Sequence, residues 1–354
     1  MIYILLDMIL SYKSLKRTFE RSCMKKKLTI IGAGVSGLYL AYLLEDKYEI
    51  TILEARDRVG GRIFSLNAND MGPSWIWSHH KAILELVSTL GLELFSQYTS
   101  GYSLYDTKDK VEMFHPQPTA PSARMKGTLS KLIDTLNARL KSTVIILNEE
   151  VLSVQDGDGV IVKSKNNSYE SDFLISTLPP RLTAQLAFNP GLPASLKKKM
   201  LSLHTWMGNS AKCVVEFKSP VWRENSLSGF VFSNIGPLGE IHDASEGDKY
   251  ALFGFVSANA DMSQFETNVK AQMIRLFAIN EDDILNVYLV DWKQEKFSSV
   301  AEDRVPMSIH PDYGVDTSSY SKKIFFSSTE FSFNEGGYIE GAIQRAKEIF
   351  LTLS

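Results

Sequence analysis

The chain has 354 residues, enough for one large or two interleaved domains around a substantial core. Its 44% hydrophobic and 22% charged composition is that of an ordinary soluble globular protein, and a net charge of −3 lacks the basic excess expected of a nucleic-acid binder. Cys23 and Cys213 are the two cysteines, too few for a disulfide framework or a cysteine-rich zinc site, which fits a cytoplasmic protein.

Residues 1–23 stand apart. Met1 to Leu10 is apolar but short and interrupted by Asp7, and it has neither a signal peptide's flanks nor a membrane span's length. Lys13, Lys16, Arg17 and Arg21 follow, so a surface-lying amphipathic helix in contact with a membrane is one reading. The preferred reading starts the native protein at Met24, whose Met-Lys-Lys-Lys run leads directly into a strand.

That strand, Leu28 to Ile31, ends on the turn Gly32-Ala33-Gly34-Val35-Ser36-Gly37, and a helix is predicted to open at the third glycine. A second strand ends on Glu54, 20 positions after Gly34 (54 − 34). This spacing is that of a dinucleotide-binding βαβ unit. Gly32 permits the tight turn, Gly34 leaves room for a pyrophosphate, and Gly37 lets the helix approach the sheet. The helix N-terminus offers N–H groups to phosphate, and Glu54 accepts hydrogen bonds from ribose hydroxyls.

Next come Gly72-Pro73-Ser74-Trp75 and a helix with Ile83, Leu84, Leu86, Val87 and Leu90 on one face, stopped by Gly91. The adjacent His79 and His80 read as surface or packing residues, and no metal site is expected. Residues 95–125 have no clear period and read as irregular. A helix carrying Leu129, Leu132, Ile133, Leu136 and Leu140 and a strand at 143–147 precede an alternating meander, with Asp156-Gly157-Asp158-Gly159 as a hairpin turn and Pro179-Pro180 as a breaker. Strands follow at 212–217, 229–232, 250–256 and 287–290, with a helix through Phe265, Val269, Met273 and Leu276 between the last two. After Asp291-Trp292 come a strand at 324–327 and a last helix opened by Gly336-Gly337.

A nucleotide unit at the front and a glycine-opened helix at the end must meet around one ligand. The expected fold is therefore α/β, a discontinuous Rossmann-like dinucleotide-binding domain (24–78, 122–186 and 305–354) with an interleaved α+β substrate domain (79–121 and 187–304).

The run Ala55-Arg56-Asp57-Arg58-Val59-Gly60-Gly61-Arg62 after Glu54 resembles the extension of the FAD-dependent amine oxidase superfamily. Thr205-Trp206-Met207-Gly208, Ser210-Ala211-Lys212, Asp291-Trp292, Thr329-Glu330 and Gly336-Gly337-Tyr338 extend the likeness to the flavin-containing monoamine oxidase family over residues 25–350. The resemblance implies FAD held by Gly32, Gly34, Ser36, Gly37, Glu54, Ala55, Arg56, Gly61, Arg62, Gly72, Pro73, Ser74, Trp75, Val151, Glu330, Gly337 and Tyr338. Arg62 would lie near the phosphates, Val151 beside the adenine, and Glu330 on a ribityl hydroxyl. Lys212 would hold a water against flavin N5, Trp292 would pack near the ring, and Tyr338 would form a wall of the substrate cage. The implied reaction is amine dehydrogenation to an imine, with O2 reoxidising the flavin to give H2O2.

The sequence departs from the family at Ser327-Ser328, where Ala-Gly is usual, and at Lys126-Gly127. No cysteine stands near Trp292 or Tyr338, so FAD is expected to be non-covalent. The substrate domain's first insertion is short, which implies a less enclosed cavity. The rival readings are an FAD-dependent desaturase or protoporphyrinogen-oxidase-like enzyme on an apolar substrate, and a flavin-binding interaction protein with little turnover. Neither the particular amine nor an oligomeric state is assigned.

Overall fold

Strand β1 (Lys26–Ile31) is apolar after its first two lysines except for Thr29, and is buried on both faces, as a strand in the middle of a parallel sheet must be. The computed structural model describes residues 25–117, 120–305, 307 and 309–354, and the expectations for residues 1–23 lie outside the described residues. β1 pairs in parallel with β2 (Tyr48–Leu53), which pairs with β3 (Val144–Ile146); on its other side β1 pairs with β4 (Phe173–Ser176), and β4 with β5 (Ile324–Phe326). The resulting order, β3-β2-β1-β4-β5, is that of a doubly wound dinucleotide-binding sheet, with the crevice at the carboxyl end of β1.

Side chains alternate across this sheet. Leu28, Ile30, Ile50, Ile52 and Ile175 face one core with the helices α1 (Val35–Leu44), α2 (Lys81–Leu90), α3 (Ser130–Arg139) and α7 (Ile339–Leu353). Ile31, Leu53, Leu174, Ile324 and Phe326 face a second core, shared with a four-stranded sheet that includes Val151–Asp156 and its hairpin partner Val160–Ser164. Helix α1 opens at Val35, with Gly34 as its N-cap, rather than at Gly37. Gly37 instead lies in the first turn, where a Cβ would stand 2.0 Å from the Gly32 carbonyl oxygen. The last helix likewise opens later than Gly336-Gly337, with Tyr338 as N-cap.

The second lobe is a seven-stranded sheet, in the order 284–291, 211–217, 250–256, 238–243, 227–233, 102–106, 111–114. One face packs Cys213, Val215 and Phe217 against the helix α6 (Phe265–Phe277). The other turns Val214, Phe253 and Phe255 toward Met71 and Trp75 of the first lobe.

Several expectations change. The stretch 95–125 is not irregular: it contributes strands at 94–96, 102–106, 111–114 and 122–125. The Pro179-Pro180 pair does follow the end of β4 at Ser176, but Pro180 also occupies the first turn of an unanticipated helix, α4 (Pro180–Gln185), where its missing N–H costs nothing. Helix α5 (Ala194–Ser202) and the strand Leu238–Asp243 were not anticipated. The segment 79–121 is divided, α2 packing in the first lobe and 102–114 pairing in the second. Residues 187–189 pair with Val151–Asp156, and Met200 of α5 joins the same core, so this stretch lies in the first lobe. No helix among the described residues is long and apolar enough to cross a membrane.

Candidate active site

A cavity of about 890 Å³ runs from the carboxyl end of β1 to the inner face of the seven-stranded sheet. At one end lie Gly32, Gly34 and Ser36. The N–H of Ala33 and that of Arg56 both donate to the Glu54 carboxylate, at 2.8 and 3.0 Å, so a buried acid fixes the turn from the end of β2. Gly32 takes a left-handed φ of +99° that favours glycine. A Cβ on Gly34 would meet nothing within 4 Å, because it would point into the cavity. An open cradle over a helix N-terminus is what a pyrophosphate requires, and the residues present fit a dinucleotide.

Along the same wall the Arg56 guanidinium bonds Glu54 Oε1, Glu295 Oε2 and Ser298 Oγ, tying the nucleotide end to the second lobe. Ala55, Gly61, Val151 and Glu149 complete this end. The Glu149 carboxylate accepts from the side chains of Ser164, Asn166, Asn167 and Tyr169. These donors, Ser164 first, bring its pKa down to about 2.

Arg62 lines the cavity, yet both its terminal nitrogens bond Glu330, at 2.5 and 3.2 Å. Glu330 is fully buried, also accepts from Ser328 Oγ at 2.8 Å, and does not line the cavity. Its carboxylate thus holds the Arg62 guanidinium at the cavity wall. Gly37 is the other expected residue outside the cavity wall, since it packs beneath the turn.

At the far end Lys212 is buried on the inner face of the second-lobe sheet, opposite Phe255 and Val290 in the flanking strands. Its Nζ donates to the Gly72 carbonyl at 2.8 Å and to Ser74 Oγ at 2.5 Å, and stands 4.2 Å from the centre of the Phe253 ring. Burial pulls its pKa from 10.5 to about 7; the Asp70 carboxylate opposes that shift and Arg124 adds to it. The Trp292 indole N–H donates to the Met71 carbonyl at 2.9 Å, fixing its ring against the same first-lobe segment. Trp75 packs edge-on to His242 and tilted against Phe253. Tyr338 stacks on His310 and touches His80. Pro73, Gly337 and Tyr338 close this end with Trp75.

Sequence reasoning missed Phe253, Phe255, Glu240 and His80, all of which line the cavity. The period-2 alternation of Ala251-Leu252-Phe253-Gly254-Phe255 was the available signal for the two phenylalanines. His80 and Glu240 carried no local signal.

A family profile described as "Flavin containing amine oxidoreductase" matches residues 101–348, and one described as "NAD(P)-binding Rossmann-like domain" matches residues 30–90. The chain belongs to the flavin-containing amine oxidoreductases. As a member of that family it is an FAD enzyme that oxidises amines, and the desaturase-like and low-turnover readings are not favoured. Among its relatives are flavin-containing amine oxidase B of Mus musculus, 23% identical over 90% of this chain and 84% of the relative, and flavin-containing amine oxidase A of Equus caballus, 24% identical over 90% and 82%. Solved structures with the same fold include a putrescine oxidase bound to putrescine (TM-score 0.79, 18% identity, 93% of this chain and 99% of that one) and a cyclohexylamine oxidase from Brevibacterium oxydans (TM-score 0.76, 18% identity, 93% and 100%).

Proposed function

We propose that this amine oxidoreductase binds FAD non-covalently along the cavity and dehydrogenates the C–N bond of a small neutral amine to an imine, with O2 as electron acceptor and H2O2 as product. The observation that carries this reading is Lys212: a buried amino group on the cavity wall, hydrogen-bonded to the Gly72-to-Ser74 segment. FAD, when bound, supplies the acceptor for a hydride equivalent and the route of its electrons to oxygen. The chain's own residues bind, orient and polarise.

The pyrophosphate would lie over Gly32, Gly34 and the start of α1, a ribose at Glu54, the adenine beside Val151, and Arg62, held by Glu330, near the phosphates. Lys212, held with Trp292 on the Met71-to-Ser74 segment, would supply a cation where a bound flavin and oxygen take on negative charge. The same cation repels a substrate ammonium, so the amine enters this end neutral. Trp75, Phe253, Phe255 and Tyr338 form an aromatic lining that desolvates an apolar amine substituent. Cys213, the only cysteine among the described residues, is buried in the core behind the sheet and does not line the cavity, which supports non-covalent attachment. A buried free thiol also suits a reducing compartment, and we assign the protein to the cytoplasm.

Anaerobic mixing of the purified flavoprotein with a panel of primary amines, diamines and amino acids tests the reaction. At least one amine is expected to bleach the flavin absorbance, with peroxide appearing once air is admitted. A flavin that stays oxidised throughout the panel refutes amine dehydrogenation.

A further inference from the structure

We propose that His79, His80 and Glu335 form a binding site for a divalent transition-metal ion of zinc-like chemistry at the edge of the amine cavity. The histidines immediately precede α2, with His80 as its N-cap, while Glu335 sits in the turn before α7. One donor atom from each of the three lies within 4.8 Å of the other two. Glu335 is the hinge of the group, with Oε1 3.9 Å from His79 Nε2 and Oε2 3.4 Å from His80 Nε2.

One feature points to a missing ligand. His80 is 2% exposed, and its Nε2 is buried with no hydrogen-bond partner although it faces the Glu335 carboxylate. Buried polar atoms are nearly always satisfied, so an orphaned imidazole nitrogen aimed at a carboxylate calls for a third party. A tetrahedral zinc ion takes imidazole nitrogen and carboxylate oxygen at about 2.0–2.2 Å, which places neighbouring donors roughly 3.3 Å apart. The His80–Glu335 separation already matches. His79, whose side chain is 54% exposed, has the freedom to close the remaining gap.

Donor chemistry selects the ion. Two imidazoles and a carboxylate suit zinc, nickel or copper, whereas magnesium and calcium take oxygen ligands. Electrostatics demands an answer as well, because the N-termini of α2 and α7 converge here and their dipoles oppose a cation. Glu340 supplies that answer: its buried carboxylate accepts the N–H groups of Ala82 and Ile83, both at 2.9 Å. Glu335 adds a second negative charge. The Glu335 carbonyl also accepts the Tyr338 N–H, and the His80 ring lies 5.5 Å from that of Tyr338. An ion in this place ties the turn that presents Tyr338 to the start of α2.

Calorimetric titration of chelator-treated, flavin-loaded full-length protein with zinc chloride tests the site without reference to any amine. One zinc ion per chain is expected. His79→Gln and Glu335→Gln should each weaken binding by about 10-fold or more. Zinc should also slow hydrogen exchange of residues 335–339 in the wild type and not in His79→Gln. His79 is exposed, so that variant folds as the wild type does. Magnesium should give no heat. Absence of zinc binding by the wild type, equal binding by both variants, or equal binding of magnesium each overturns the proposal.

Discussion

Lys212 illustrates how one side chain takes its chemistry from its surroundings. On a solvent-facing strand it would be an ordinary ammonium; here burial brings its pKa to about 7. Reduced, anionic flavin beside it would favour the charged form and raise that value. Reoxidation of the reduced wild-type enzyme should therefore slow as pH climbs through this raised pKa. Lys212→Met should be slower by about 10²-fold in the low-pH plateau and flat with pH, as stopped-flow mixing with oxygenated buffer reads directly. Equal rates would remove Lys212 from the chemistry. Stability runs the other way with pH. With a folded pKa below 10.5, the unfolded chain binds the extra proton, so the penalty of burying Lys212 is full below about pH 7 and fades as pH rises to 10.5. Glu149 is the opposite case. Its folded pKa of about 2 lies below the ordinary 4.5, so its contribution is present above 4.5 and lost as pH falls toward 2. Melting curves of Glu149→Gln and wild type should converge over that acid window and differ at neutral pH.

At the scale of elements, two glycines of one turn are predicted to fail in different ways. Gly34→Ala points a methyl into open cavity at an ordinary φ of −73°, so the flavin-free protein should keep its melting temperature while flavin occupancy collapses. Gly37→Ala drives a Cβ to 2.0 Å from a carbonyl oxygen, which forces α1 off the sheet and should cost more than about 3 kcal/mol. If both variants bind flavin with wild-type stability, the turn has been misread. This unit was legible because strand, turn and helix are contiguous and each residue type has a local steric reason. The short strands of 94–125 were not. Tyr102–Asp106 pairs in parallel with the distant Leu227–Ser233, and although it also forms a hairpin with Val111–Phe114, the Thr107-Lys108-Asp109-Lys110 turn between them carries no glycine or proline to announce it. Pro180 misled for a related reason, since a proline that ends one element is also a good first residue for the next helix.

For the whole molecule, the site is a seam between two lobes, and its legibility divides along that seam. The nucleotide end was readable from one contiguous motif. The far end of the cavity gathers Lys212, Trp292, Tyr338 and the 250–256 strand, and a sequence motif says which of these belong together but not which neighbours complete the wall. Acid or heat denaturation of the holoprotein should release all of the FAD into the supernatant; flavin absorbance that stays with the precipitated chain would contradict non-covalent binding. The Arg62–Glu330 pair and β5 carry a consequence for biosynthesis. Residues 62 and 330 meet at the cofactor cavity, and the fifth strand of the parallel sheet, with the helix behind it, is drawn from residues 324–353. In chain order these come after the other described parts of the nucleotide lobe. Until they emerge, Arg62 lacks its counter-charge and β4 has an open edge. Loading of the flavin is thus a late event for each new chain, and a nascent chain stalled before residue 324 presents a raw sheet edge to chaperones.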